Sequence, residues 1–262
     1  MGDELDHDVH TVGVSVPPDA SSHPVVELRR YTLRPGARET LIDIFDREFV
    51  ESQEAVGMRV IGQFRDIDRP DIFMWLRGFD DVGTRAASLA AFYDGPVWKT
   101  HGPAANATMI DSDDVHLLRP LRFDHPLLHP ARDRAPVGTT TVRPGVIVAT
   151  VYLLEPERAA DFAAFFEAVV APVLAAAGVS PIAMLETDQS PNDFARLPVR
   201  ERDRAFVWLA RFDDAAAQER HATSLAESPA WREQVVPLME SYLVAPAEIS
   251  RLSPTGRSRL RP

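Results

Sequence analysis

Arg77 follows Trp75 by two residues in the run Phe73-Met74-Trp75-Leu76-Arg77-Gly78-Phe79. In a strand, that spacing turns both side chains to one face of the sheet. A strand arginine beside a tryptophan suits a carboxylate or an enolate oxygen, which a guanidinium meets with paired donors. It equally suits an ion pair with Glu27 or a reach past the sheet edge to solvent. His101 comes one helical turn after Trp98. Its imidazole titrates near neutrality, which makes it the general-base candidate, although a helix-end histidine also serves to cap carbonyls. Asn106, Thr108, Asp111 and Ser112 follow as a polar stretch suited to a pocket mouth or to caps and turns. Tyr31 carries a phenolic proton that a cleft can use. No metal site is expected: His7 with His10 and His125 with His129 lack fixed carboxylates nearby, and Asp111, Asp113, Asp114 and His116 lack the glycine turn and distal glutamate of a calcium loop. The chain has no cysteine, and no phosphate-binding loop, dinucleotide fingerprint or nucleophile elbow.

The elements that must position these residues occur twice. In the first pass the patterns read as strands over 25–33, 58–65, 72–79 and 115–118, with helices over 37–55, 83–93 and 97–105. The order is β-α-β-β-α-β, the ferredoxin-like pattern. In the second pass strands fall at 147–154, 182–187, 205–212 and 247–252, with helices at 159–177, 215–225 and 229–239. Phe73 to Asp81 aligns with Phe206 to Asp214, and Trp75–Trp98 and Trp208–Trp231 each span 23 positions. Tyr31, Pro35 and Gly57 match Tyr152, Pro156 and Gly178 at an offset of 121, whereas later pairs sit at 133. The second copy therefore carries a net insertion of 12 residues, most simply within 188–203, and duplication followed by fusion explains the pattern. The expected organisation is an arm over 1–23 without fixed structure, domain 1 over 24–121, a proline-rich linker over 122–144, domain 2 over 145–254 and a basic tail over 255–262 that frays. Strand 72–79 is apolar at almost every position, as expected of a strand covered on both faces. Helices cover one face; the other copy, held close by the linker, covers the second. The expected fold is thus α+β, with two ferredoxin-like domains packed as an intramolecular α/β barrel.

The two copies also act as an internal control, because residues needed only for the fold are shared. Glu27, Arg29 and Arg30 oppose Val148, Thr150 and Val151; Gln63 opposes Met184; Arg77 opposes Ala210; His101, Asn106 and Asp111 oppose Gln234, Met239 and Val244. The polar excess places a site in the first copy. The expected set is His101, Arg77 and Asn106 as catalytic groups, with Tyr31, Glu27, Trp75, Gln63 and Asp111 on the substrate. Tyr31 and Trp75 have counterparts in Tyr152 and Trp208, so they suit the core as well.

The formal net charge of −11 argues against nucleic acid, whose phosphates need clustered lysine and arginine, and against anionic membranes. The first residues are acidic and polar, unlike a signal peptide, and no run reads as the roughly 18 apolar residues of a membrane span. A cytoplasmic protein is expected, and self-association of the two-domain chain as a homodimer is left open.

Glu27-Leu28-Arg29-Arg30-Tyr31-Thr32-Leu33-Arg34-Pro35-Gly36, Val60-Ile61-Gly62-Gln63-Phe64, Phe73 to Asp81 and Gly95-Pro96-Val97-Trp98-Lys99 together resemble the NIPSNAP family, within the dimeric α/β-barrel superfamily. The resemblance covers 25–120 well and 146–254 more faintly, and Asn106 to Ser112 looks like bacterial two-copy members. The superfamily includes cofactor-independent and haem-degrading monooxygenases, chlorite dismutases, isomerases and polyketide cyclases. It implies a small-molecule enzyme working without a cofactor on an aromatic or polyketide-type compound. The alternative is a non-catalytic scaffold acting through protein partners. Haem is not expected, because the surroundings of His101 lack the motif of the haem-binding members.

Overall fold

The computed structural model describes residues 24–121, 133–142 and 144–262. The expected arm, most of the linker, and His7, His10, His125 and His129 lie outside the described residues. Strand β1 (Val25–Leu33) leads into a helical run made of α1 (Arg38–Ile44), a π turn (Phe45–Phe49) and α2 (Val50–Glu54). Strands β2 (Arg59–Asp66) and β3 (Ile72–Phe79) follow, then α3 (Val82–Tyr93), α4 (Pro96–Asn106) and β4 (Met109–Pro120). The same order returns as β5 (Val146–Leu153), α5 (Ala159–Phe165), a π turn (Phe166–Val170), α6 (Ala171–Ala176), β6 (Ala183–Thr187) and β7 (Ala205–Phe212). Helix α7 (Ala215–Glu227), a further π turn (Trp231–Val235), α8 (Val236–Glu240) and β8 (Glu248–Pro254) complete it. The π turns beginning at Phe45 and Phe166 occupy matching places in the two passes. Asp81 starts α3 with a reciprocal cap, its carboxylate accepting from Thr84 N at 2.7 Å and its own N–H donating to Thr84 Oγ1. Asp214 does the same one-sidedly for α7, accepting from Ala217 N.

The eight strands close into one antiparallel barrel in the order β1-β3-β2-β8-β5-β7-β6-β4. Two seams join the passes: β2 with β8 through Phe64–Pro254, Arg65–Ser253 and Asp66–Leu252, and β4 with β6 through Leu118–Thr187, Arg119–Glu186 and Pro120–Leu185. Strand alternation then separates three cores. Val26, Leu28, Met74, Leu76, Leu118, Ile147, Val207 and Leu209 point inward and fill the barrel with apolar side chains. Leu41, Phe45, Phe49, Phe73, Trp75, Phe79 and Phe92 pack between the first sheet and its helices, and Phe162, Phe166, Phe206 and Trp208 do so in the second. Burial of each such side chain is worth about 1.5–3 kcal/mol, so the barrel lumen is a core and not a channel.

Three expectations need correction. Strand β4 begins at Met109, not Val115, so Asp111 and Ser112 lie on a strand that pairs with β1 through Thr32–Asp111 and Leu33–Met109; its outward-facing start, with Ile110 and Asp111 exposed, hides the usual alternation. The basic tail does not fray. Its Thr255 and Leu260 N–H groups donate to the Gln63 and Ile61 carbonyls at 2.9 Å, and Arg257 and Ser258 are buried. The reason is that β8 pairs with β2 only from Phe64 to Asp66, which leaves the earlier outer-edge groups of β2 for the tail to satisfy. A Cβ at Gly62 would come within 2.5 Å of the Phe64 ring, so a larger residue there would force that buried ring to shift. Finally, Pro156–Ala176 is long and apolar enough to cross a membrane by length and composition, with a hydropathy of 1.7; Phe162, Phe166, Val170 and Leu174 nevertheless pack it onto the sheet.

Candidate active site in the first half

Register places Glu27 of β1 opposite Arg77 of β3, both on the helix-facing side of the sheet. Arg29 stands two residues along on the same side. Arg85, on the first turns of α3, comes down from above. All four are fully or almost fully buried. Glu27 Oε2 accepts from Arg29 Nη1 and Arg77 Nε, and Oε1 from Arg85 Nε, each at 2.7 Å. Gln53 accepts from Arg77 Nη1 at 3.1 Å. Burial alone pushes the Glu27 carboxyl up, but Arg77, Arg29 and Arg85 outweigh it and hold the group well below the ordinary carboxylate range. The arginines lean on aromatic faces: Arg77 lies 5.1 Å from the Trp75 ring centre, and Arg29 lies 5.5 Å from that of Tyr31.

A pocket of about 280 Å³ opens next to this cluster, somewhat below the roughly 300–1,000 Å³ of typical small-molecule sites. Arg29 and Tyr31 of β1 line it on the sheet side, Tyr93, Trp98 and Asn106 come from α3 and α4, and Met109, Ser112 and Asp113 from β4. The remaining wall is Phe194, Arg196 and Leu197, which lie on the segment between β6 and β7. That segment reaches across because it is pinned to the first half. Asp193 pairs with Arg85, and Asn192 accepts from Arg85 Nη1 at 3.2 Å. Arg196 Nη1 lies 2.7 Å from Asp94 Oδ1, and Arg200 donates from its backbone to Val115 O. Phe194 stacks on Tyr93 at 6.1 Å, while Tyr93 meets Trp98 edge-on at 4.6 Å. Tyr31 Oη accepts from Arg29 Nε at 3.0 Å, and burial, the largest influence on it, raises the phenol above its ordinary value. It stays protonated at neutral pH.

Of the eight residues expected at a site, Tyr31 and Asn106 line the pocket. Glu27, Arg77 and Trp75 form the layer behind it; Trp75 packs against Tyr31 and Phe45 at 6.0 and 4.7 Å. Gln63, His101 and Asp111 are not brought there. Gln63, on β2, donates to Asp46 of the first π turn at 3.0 Å. His101 faces Glu48 at 3.5 Å between Nε2 and Oε2, because its helical turn points to the α1–α2 run and not to the sheet. Asp111, exposed on β4, accepts from Asp113 N. Arg29, Arg85, Gln53, Phe194 and Arg196 were not in the expected set. A signal existed for three of them: Arg29, Gln53 and Arg85 oppose Thr150, Leu174 and Gln218 at the two offsets. In the second half, Val148 pairs with Ala210 where Glu27 pairs with Arg77, and the space is filled by the apolar core.

A second polar hollow, of about 250 Å³, lies at the β4–β6 seam. His116 lines it, is buried, and has an Nε2 without a hydrogen-bond partner among the described residues. Burial and then Arg200 hold its imidazole below the ordinary value, against Asp114 and Asp203. Among the described residues no group of three or more histidine, cysteine or acidic side chains could hold a metal ion.

Comparison with known proteins agrees with this geometry at the level of fold. Residues 26–124 match the NIPSNAP family profile. None of the curated proteins matches the sequence. A candidate monooxygenase from Lactobacillus acidophilus NCFM is 13% identical, with 88% of this chain and 94% of that one covered at a TM-score of 0.52. An anthrone oxidase-like protein is 14% identical over 92% and 97%, at 0.55. A NIPSNAP-like domain protein from Burkholderia xenovorans is 29% identical over 40% and 91%, at 0.37. The match to the NIPSNAP family thus spans residues 26–124, in a chain whose α+β closed barrel is similar in fold to the candidate monooxygenase and the anthrone oxidase-like protein.

Proposed function

We propose that the chain is a small-molecule enzyme, formed from two duplicated ferredoxin-like halves, with its active site in the first-half pocket. The reaction is monooxygenase-, isomerase- or cyclase-like chemistry on an aromatic or polyketide-type compound, without a bound redox cofactor. One observation carries this reading: matching positions hold a polar-floored pocket in one half and a filled apolar core in the other. Such asymmetry costs stability and is unexplained by folding alone. The three reaction types share a first step, loss of a proton to give a delocalised oxyanion. Tyr31 can donate a hydrogen bond to that oxygen, with Arg29 behind it. Asp113 is the carboxylate on the pocket wall able to take the proton, a role in which it replaces His101. Asn106 orients the substrate at the mouth.

The scaffold reading draws on the outer face of α5–α6, where Ala160, Ala164, Ala168 and Ala175 are exposed in an apolar run. Activity decides between the two. Hydroxylated aromatics would be incubated with the protein in air, with oxygen uptake and product masses followed. Turnover that falls at least tenfold in Tyr31→Phe and Asp113→Asn but holds in Tyr152→Phe is the expected result. Turnover indifferent to Tyr31 and Asp113 would remove the pocket from the chemistry.

A further inference from the structure

The buried cluster is not electrically balanced. Three guanidinium groups, Arg29, Arg77 and Arg85, share the single carboxylate of Glu27. Asp193 offsets part of this, but it sits at the outer end of Arg85, away from Arg29. Positive charge held out of water calls for an anion close by. Arg29 is the arginine that both belongs to the cluster and lines the pocket. Its Nε is taken by Tyr31 and its Nη1 by Glu27, which leaves Nη2 with no acceptor among the described residues. Tyr31 accepts from Arg29, so its own proton is available to a ligand. Trp98, Tyr93 and Phe194 line the same pocket as these two donors.

We propose that the pocket binds a planar aromatic compound carrying one oxyanion, with that oxygen on Tyr31 and Arg29 and its rings between Trp98 and Phe194. The inference rests on the pocket being the small-molecule site proposed above and adds the charge of what it takes. Glu27 orients Arg29 and screens it from closing on another protein carboxylate. Arg196 reaches over Tyr93 and Phe194 with its charge paired to Asp94, and Asp113 stands at the exposed side of the pocket, so the buried Arg29 is the positive group that selects the anion.

The test uses 2-naphthoate and its neutral counterpart 2-naphthamide, titrated calorimetrically into the full chain. Naphthoate is expected to bind at least tenfold more tightly, a difference of about 1.4 kcal/mol. Tyr31→Phe keeps the Glu27 ion pairs, though it removes the acceptor of Arg29 Nε, and should weaken naphthoate by about three- to tenfold; Tyr152→Phe, its counterpart in the filled half, should change nothing. Arg29→Met should abolish the preference for the anion, with circular dichroism confirming that the variant is folded. Equal affinity for the two probes overturns the anion while leaving an aromatic pocket in place. Binding of neither overturns the inference together with the reading beneath it. Naphthoate affinity unchanged in Tyr31→Phe overturns the assignment of the oxygen to Tyr31.

Discussion

Glu27→Gln tests the ion cluster most severely. The wild-type carboxylate receives three guanidinium groups at 2.7 Å in a site closed to water. Glutamine keeps the shape and one carbonyl acceptor but presents an NH₂ group to arginines that are already donors. Removing one partner of a buried ion pair costs about 3–5 kcal/mol, because the remaining charge is left uncompensated. For a chain of this length each kcal/mol lowers the melting temperature by roughly 2–4 °C, so a fall of roughly 6–20 °C is expected. The second half supplies the control. Combining Glu27→Val, Arg29→Thr, Gln53→Leu, Arg77→Ala and Arg85→Gln installs the residues at its matching positions. The five-fold variant leaves no uncompensated charge within the buried cluster, the term that dominates the cost of Glu27→Gln. The five-fold variant should therefore melt higher than Glu27→Gln while losing all ligand binding. Thermal unfolding by circular dichroism and calorimetric titration of 2-naphthoate read the two properties separately. If Glu27→Gln melts within about 1 °C of wild type, or if the five-fold variant is the less stable of the two, the cluster is not the buried charge centre described here.

Other consequences follow from single contacts. The Glu27 carboxyl is depressed in the fold, so its contribution is present above the unfolded carboxylate value near 4.5 and is lost as pH falls toward the folded one; acid unfolding of Glu27→Gln should show a shallower slope there. His116 is depressed too, by burial and Arg200 and against Asp114 and Asp203, with Arg30 adding to the positive side. Stability should fall as pH drops below about 6.5, and His116→Leu should flatten that slope between pH 5 and 7. Gly62→Ala drives a Cβ into the buried Phe64 ring and should cost about 1–3 kcal/mol in urea unfolding. Truncation after Pro254 removes the partners of Gln63 and Ile61 and should lower the melting temperature and speed amide exchange in β2; unchanged exchange would contradict the docked tail.

The barrel was legible because period-two and helical patterns recur with matched tryptophans, prolines and glycines, and because apolar strands need cover on both faces. Placement of polarity in the first half was legible for the same reason: Glu27, Arg29 and Arg77 stand where the second half has Val148, Thr150 and Ala210. What each polar residue touches was not. A strand period tells which face Arg77 takes but not that Glu27 already occupies it. The helical spacing from Trp98 to His101 does not say that Glu48 is the neighbour. Phe194 and Arg196 escaped because an insertion has no counterpart to compare with, and its docking depends on ion pairs across more than a hundred positions of chain. The tail was misjudged since no sequence pattern shows that β8 leaves the outer edge of β2 unpaired before Phe64, which is the need the tail fills.

A crystal structure of the protein with 2-naphthoate tests the first-half pocket most directly. We predict density between Trp98 and Phe194, with a carboxylate oxygen within hydrogen-bonding distance of Tyr31 Oη and Arg29 Nη2, and none between the helices and sheet of the second half. Density at the β4–β6 seam or in the second half, with the first-half pocket holding only water, would contradict it.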